Sequence, residues 1–292
     1  MKFLNVSKMM DSRNRNKRVL SIIMKEKVNR GINMKKFIYL FEHEFNYIFK
    51  YVLLLCGFSI ALQGFFIWHA RRGINVYTYI PFEEMFIGSG AVIIALISLA
   101  GMIGICILSF YSNFNESKSI YTLMALPQDR KNMFFAKILA WFVGFISLVA
   151  SQLLIGILGY AIFAPTYLKE LGPRNIVETR VNNGLFLSFV RSDFYRIVMP
   201  LSFEGFLSTF AILISIIFAI YYSLLCIKGM YKREILAIVV VIQLIVVINV
   251  LRYRVQLPFE YHNLYISSGI LFVITGFYVW DSIKILRKCT FI

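Results

Sequence analysis

The chain has 292 residues, 59% of them hydrophobic and 16% charged, and its mean hydropathy of +0.71 lies far above that of a water-soluble globule. With 31 Lys and Arg against 15 Asp and Glu the net charge is +16, but the basic residues punctuate apolar runs instead of forming a face, which argues against nucleic acid as a partner. Cys56, Cys106, Cys226 and Cys289 lie far apart with no C-x-x-C pair, and His43, His69 and His262 are equally scattered, so neither a disulfide scaffold nor a metal or cofactor site is expected. The composition is that of an integral membrane protein.

Residues 1–33 are basic and polar, without periodicity. Their one apolar cluster, Val19 to Met24, is too short for a signal-peptide core, so the segment reads as a disordered extension with no cleaved signal, and Met34 offers an alternative translation start. Residues 34–292 form the membrane domain. From Phe37 to Val52 the apolar residues Phe37, Leu40, Phe41, Phe45, Ile48, Phe49 and Val52 recur at helical spacing, with Lys36, Glu42, His43, Asn46 and Lys50 opposite them. This pattern predicts an interfacial amphipathic helix on the cytoplasmic leaflet; the competing arrangement is a plain cytoplasmic extension of the first span. His43, Glu42 and Glu44 read as solvated.

Six apolar runs are long enough to cross about 30 Å of hydrocarbon: Tyr51–His69, Met85–Tyr111, Ile138–Ala164, Gly205–Ile227, Ile235–Leu251 and Ile266–Trp280. The runs are continuous, without period-two alternation, so they are helices and not barrel strands. The fold class is therefore all-α and polytopic. With the N-terminus inside, the cytoplasmic segments carry 22 Lys and Arg and the outer segments 9. The three cations between Lys228 and Arg233 also suit an inside loop, so a multi-pass cell-membrane protein with both termini cytoplasmic is expected.

As these boundaries are drawn, none of the spans contains Asp, Glu, Lys or Arg, the groups a proton- or ion-driven transporter places along its path. Gln63, Gln152, Gln243 and Asn249 are expected to make interhelical hydrogen bonds, and the pairs Ala100 with Gly104 and Ser147 with Ser151 to mark close helix packing. Glu83 and Glu84, at the outer end of the second span, read as a solvated terminus because adjacent helical residues do not face one point. No P-loop, H-E-x-x-H or G-x-S-x-G motif is present, so no ATP site or hydrolase centre is expected within the chain.

The segment Asn113 to Lys137 reads NFNESKSIYTLMALPQDRKNMFFAK. Ile120, Leu123, Met124 and Pro127 recur at three and four, predicting a short amphipathic helix that starts at an Asn115 or Ser117 cap and stops near Pro127; Asp129 then caps the helix leading into the third span. A stiff helix held there on the cytoplasmic side would pass a push from a cytosolic partner to two spans at once.

In Glu116, Leu123, the Leu126-Pro127 dipeptide, Arg130 and Lys137 the chain resembles the permease subunits of type-two (ABC-2 type), export-class ABC transporters, with Lys118-Ser119 where that family has Gly-Thr and Asp129 where it has Ser. The plan of amphipathic helix, six spans and inside termini fits the resemblance from about Met34 onward. The resemblance implies a permease that pairs with a second permease subunit, identical or different, and binds cytosolic ABC ATPase subunits through a coupling helix made of Glu116, Ile120, Leu123, Met124, Leu126, Pro127, Arg130 and Lys137. ATP hydrolysis then belongs to the partner and the cargo is an amphiphile such as a peptide antibiotic. A polytopic enzyme acting on lipid, and a membrane anchor or sensor without transport, are the rival functions. The rival reading of Glu116, Arg130 and Lys137 is ordinary charge flanking a membrane helix.

Overall fold

The computed structural model describes the backbone of residues 3–72, 81–115, 130–171, 184–229, 233–255 and 264–288, and the side chains of 35–72, 81–112, 131–163, 184–227, 234–255 and 264–286. Among these residues the chain is 96% helical and has no strand. Its helices are α1 (Phe3–Arg72), α2 (Phe82–Gly88), α3 (Ala91–Asn115), α4 (Arg130–Leu171), α5 (Gly184–Arg191), α6 (Asp193–Val198), α7 (Phe203–Gly229), α8 (Arg233–Val255) and α9 (Leu264–Lys288). Six stretches are long and apolar enough to cross a membrane: Lys35–Arg72, Ala91–Ser112, Lys131–Phe163, Phe203–Ile227, Glu234–Val255 and Leu264–Leu286. The chain is thus an all-α, multi-pass membrane protein.

The amphipathic stretch and the first span form one unbroken helix, which is the extension arrangement. No proline interrupts Lys35 to Arg72, and Leu40, Glu44, Ile48 and Val52, each four residues from the last, make a buried stripe. That stripe continues into the protein core, with Phe41 and Phe45 packed beside it. The backbone of residues 3–33, where the sequence predicts disorder, is the first part of α1, and its side chains lie outside the described residues.

The second apolar run is broken where the sequence predicts continuity. Residues Met85 to Tyr111 divide into the end of α2, a turn at Ser89 and Gly90, and α3. Gly90 adopts φ +81°, a left-handed conformation that costs glycine little and other residues more. The Ser89 hydroxyl donates to the carbonyl of Phe86 at 2.8 Å, and the Gly90 amide to that of Ile87 at 3.1 Å, so the turn satisfies the polar groups that the interrupted helix releases.

Two groups of helices meet along the middle. α1 lies against α4 over much of its length, with α3 leaning on α1, while α7 and α9 form the other close pair. The main core joins the groups through Val52 of α1, Met102, Cys106 and Phe110 of α3, Phe134, Trp141 and Phe145 of α4, and Ile217, Tyr221 and Leu225 of α7. A second cluster at the far end gathers Ile67, Phe82, Phe86, Ile155 and Tyr195. Of the most apolar part of α4, 50% is buried, against 11% for α8, so α4 is the central strut and α8 a peripheral helix.

Lipid is as apolar as the side chains it touches, so close contact and hydrogen bonds hold these helices together. Glycine admits the contact at Gly144, where an added Cβ would run into the Met102 methyl, and at Gly159, where it would lie 3.0 Å from Ile67. The expected pair Ala100 and Gly104 does not serve this purpose. Ala100 is exposed and a Cβ at Gly104 would meet nothing within 4 Å, whereas neighbouring Gly101 faces Leu55. Ser147 and Ser151 bond within their own helix, to the carbonyls of Val143 and Leu148.

Candidate functional site

Of the eight residues assigned to ATPase coupling, Glu116, Ile120, Leu123, Met124, Leu126 and Pro127 lie outside the described residues, as does the side chain of Arg130, whose backbone opens α4. Lys137 is described, two turns further along α4. It is not a flanking charge on a solvated helix end: only 6% of it is exposed. Its ammonium reaches the Glu44 carboxylate at 3.3 Å and donates to the backbone carbonyl of Ser109 at 3.0 Å, with the Phe110 ring 5.9 Å away. One side chain of α4 thereby ties α1 to α3 at the end where residues 116–129 connect α3 to α4.

This arrangement corrects one expectation and limits another. Glu44 is buried on the inward stripe of α1, and only Glu42 and His43 are exposed as predicted. The expectation of spans without ionisable groups holds only within the boundaries drawn from sequence, because helical hydrogen bonding and apolar packing continue past the first charge, where those boundaries stop. Glu44, Lys137, Arg254 and Asp281 all lie in the helices long and apolar enough to cross a membrane, and all are buried. Each is held by polar partners, the condition under which such groups persist in an apolar interior.

Asp281 of α9 is fully buried and accepts a hydrogen bond from the Tyr222 hydroxyl of α7 at 2.9 Å. Along the same faces the Tyr278 hydroxyl donates to Gln243 Oε1 of α8 at 2.7 Å, and Gln243 Nε2 donates to the Ser215 hydroxyl of α7 at 3.3 Å. α8, which buries little else, is secured to the pair by these bonds.

Arg254, at the other end of α8, is 8% exposed. Its guanidinium donates to the carbonyls of Ile197 at 2.9 Å and Gly205 at 2.6 Å, to the Thr209 hydroxyl at 2.8 Å, and to the Ser208 hydroxyl. Five donors in a planar fork suit such a ring of acceptors, which closes the α6–α7 connection onto α8.

A third polar knot joins α1, α3 and α4. Gln63 Nε2 donates to Gln152 Oε1 at 2.9 Å and to the Ala91 carbonyl at 3.3 Å; Gln152 Nε2 donates to the Ser59 hydroxyl at 3.2 Å, which in turn pairs with the Ser98 hydroxyl at 2.9 Å. Gln63, Gln152 and Gln243 thus make the interhelical bonds the sequence predicts, whereas Asn249 is exposed. Just beyond the knot, Tyr195 of α6 lies over Gly156 and donates to the Gln152 carbonyl at 3.4 Å; burial pushes its phenol up from the usual range. Glu84 is exposed on α2, in keeping with a solvated terminus.

Chemically these groups fasten helices. Among the described residues no three His, Cys, Asp or Glu side chains converge on a point that could hold a metal. The fold and its polar knots define a six-span membrane protein whose internal charges are paired or hydrogen-bonded. Comparison with family models, with curated proteins and with solved structures gives no match to this chain.

Proposed function

We propose that the chain is the membrane-spanning permease subunit of an ATP-driven exporter of the ABC-2 type, paired with a second permease and driven by cytosolic ABC ATPase subunits. The observation that carries the reading is the placement of Lys137. The segment bearing Glu116, Leu123, Leu126-Pro127 and Arg130 connects α3 to α4, and directly beyond it Lys137 fastens α4 to Glu44 of α1 and to the Ser109 carbonyl of α3. Force applied to that segment is delivered to three helices together, which is what a motor outside the membrane requires.

Other features support the same division of labour. The chain carries no P-loop, so ATP hydrolysis falls to a separate subunit. The excess of Lys and Arg in the segments that include both termini and residues 228–234 supports a cytoplasmic location for them. The cargo is an amphiphile, taken from the cytoplasm or the inner leaflet. Affinity purification of the chain from its native membrane tests the reading: a co-purifying ATPase subunit supports it, and a chain that purifies alone and turns over lipid without ATP contradicts it.

A further inference from the structure

A groove of about 400 Å³ lies between α1 and α3, at the end of the bundle nearest the 116–129 connection. Tyr47 and Tyr51 of α1 and Leu108, Ser109, Tyr111 and Ser112 of α3 line it, with Ile105 at its deeper end. From Ile105 to Ser112 the helix rises about 10 Å. Along that distance the α3 wall changes from two aliphatic side chains to a phenol and two hydroxyls.

The groove opens on the surface of the helix bundle: Leu108 is 67% exposed and Tyr51 54%. Its inner wall is different. Ser109 is 1% exposed, and its hydroxyl, buried, has no hydrogen-bond partner among the described residues, although a helical serine usually bonds a carbonyl one turn back, as Ser147 does here. A buried hydroxyl left in this state is destabilising relative to a satisfied one, and a ligand acceptor would recover the difference.

We propose that this groove binds a single-chain amphiphilic lipid from the adjoining leaflet, its chain along Ile105 and Leu108 and its polar linkage against Ser109, Ser112 and the tyrosines. The volume falls within the range of small-molecule sites. The polarity gradient orients the occupant, with the head towards the membrane surface, where tyrosine is at home. A phospholipid with two chains covers more than the groove can enclose, so the single-chain form is selected. Because the Ser109 carbonyl accepts from Lys137, the occupied groove shares a residue with the contact that fastens α4. The inference stands on the six-span fold and does not need the exporter reading.

The test uses the full-length protein in nanodiscs with a diazirine-bearing lysophosphatidylcholine, crosslinked by light and mapped by mass spectrometry. Crosslinks are expected on residues 105–112 and 47–51, saturable and displaced by unlabelled lysophosphatidylcholine. Ser109→Ala, which removes one hydrogen-bonding group, should weaken the labelling roughly fivefold, and Ser109→Thr should retain it. Ser112→Phe, which fills the groove, should abolish labelling there while leaving that of Ile238 and Ile245 on the exposed face of α8 unchanged. Labelling spread evenly over the exposed faces, not saturable in the wild-type protein, would show surrounding lipid only and would overturn the proposal, whatever the variants do.

Discussion

Replacing Lys137 with Met removes the ammonium and leaves the Glu44 carboxylate in a site that is 8% exposed. At 3.3 Å and an effective dielectric constant of about 20, the pair gains about 5 kcal/mol of Coulomb attraction, before the desolvation of either group is counted. Measured losses on removing one partner of a buried pair are about 3–5 kcal/mol, while replacing both partners with apolar groups of similar volume is often neutral or stabilising. The Ser109 carbonyl also loses a donor in the single variant. Lys137→Met is therefore expected to lower the thermal unfolding temperature of the purified protein clearly and to reduce the folded amount in the membrane. Glu44→Leu combined with Lys137→Met should recover most of the loss. The assay is thermal unfolding in detergent, read by tryptophan fluorescence, for both single variants and the double. If Lys137→Met unfolds with the wild type, or if the double variant is less stable than either single one, the two side chains do not act as a buried pair.

The remaining expectations concern the end of the bundle far from Lys137 and the topology. Gly156→Ala should destabilise by about 1–3 kcal/mol, because its methyl would run into the Tyr195 hydroxyl and lie 2.8 Å from the Phe189 ring, and Tyr195→Ala in the same chain should relieve part of that loss in unfolding measurements. Arg254→Met should speed amide hydrogen exchange over residues 197–209, and Arg254→Lys should restore protection only in part, since an ammonium cannot reproduce the planar fork that meets Ile197, Gly205, Ser208 and Thr209. Single cysteines replacing Lys232 and Arg174 should react with impermeant reagents from opposite sides of the membrane; labelling from the same side would refute the six-span orientation.

The six spans were legible because lipid leaves the backbone no alternative to internal hydrogen bonding, so a long apolar run announces its helix. Hydropathy does not report a break inside such a run. The turn before α3 is signalled by Gly88-Ser89-Gly90 instead, a cluster that outweighs the apolar residues on either side. Glu44 was misplaced for a related reason: its charge suggests the polar face, while its spacing of four from Leu40 and Ile48 puts it on the buried one. Lys137, Arg254 and Asp281 sit where apolar runs end, and only the packing of neighbouring helices decides whether such an end is wet. The partners of Gln63 and Gln152 lie on other helices, and sequence spacing carries no record of which faces meet.

The central claim is that a cytosolic ATPase grips the segment between α3 and α4. Leu123→Asp places a charge on the predicted apolar face of that segment, and burying it unpaired costs several kcal/mol, when about 1.4 kcal/mol already weakens association tenfold. The measurement is the amount of ATPase that co-purifies with the tagged chain from native membranes, normalised to the amount of chain inserted. The account predicts normal insertion of the Leu123→Asp chain with at least about a tenfold loss of bound ATPase; normal insertion with undiminished ATPase, or a wild-type chain that captures none, would contradict it.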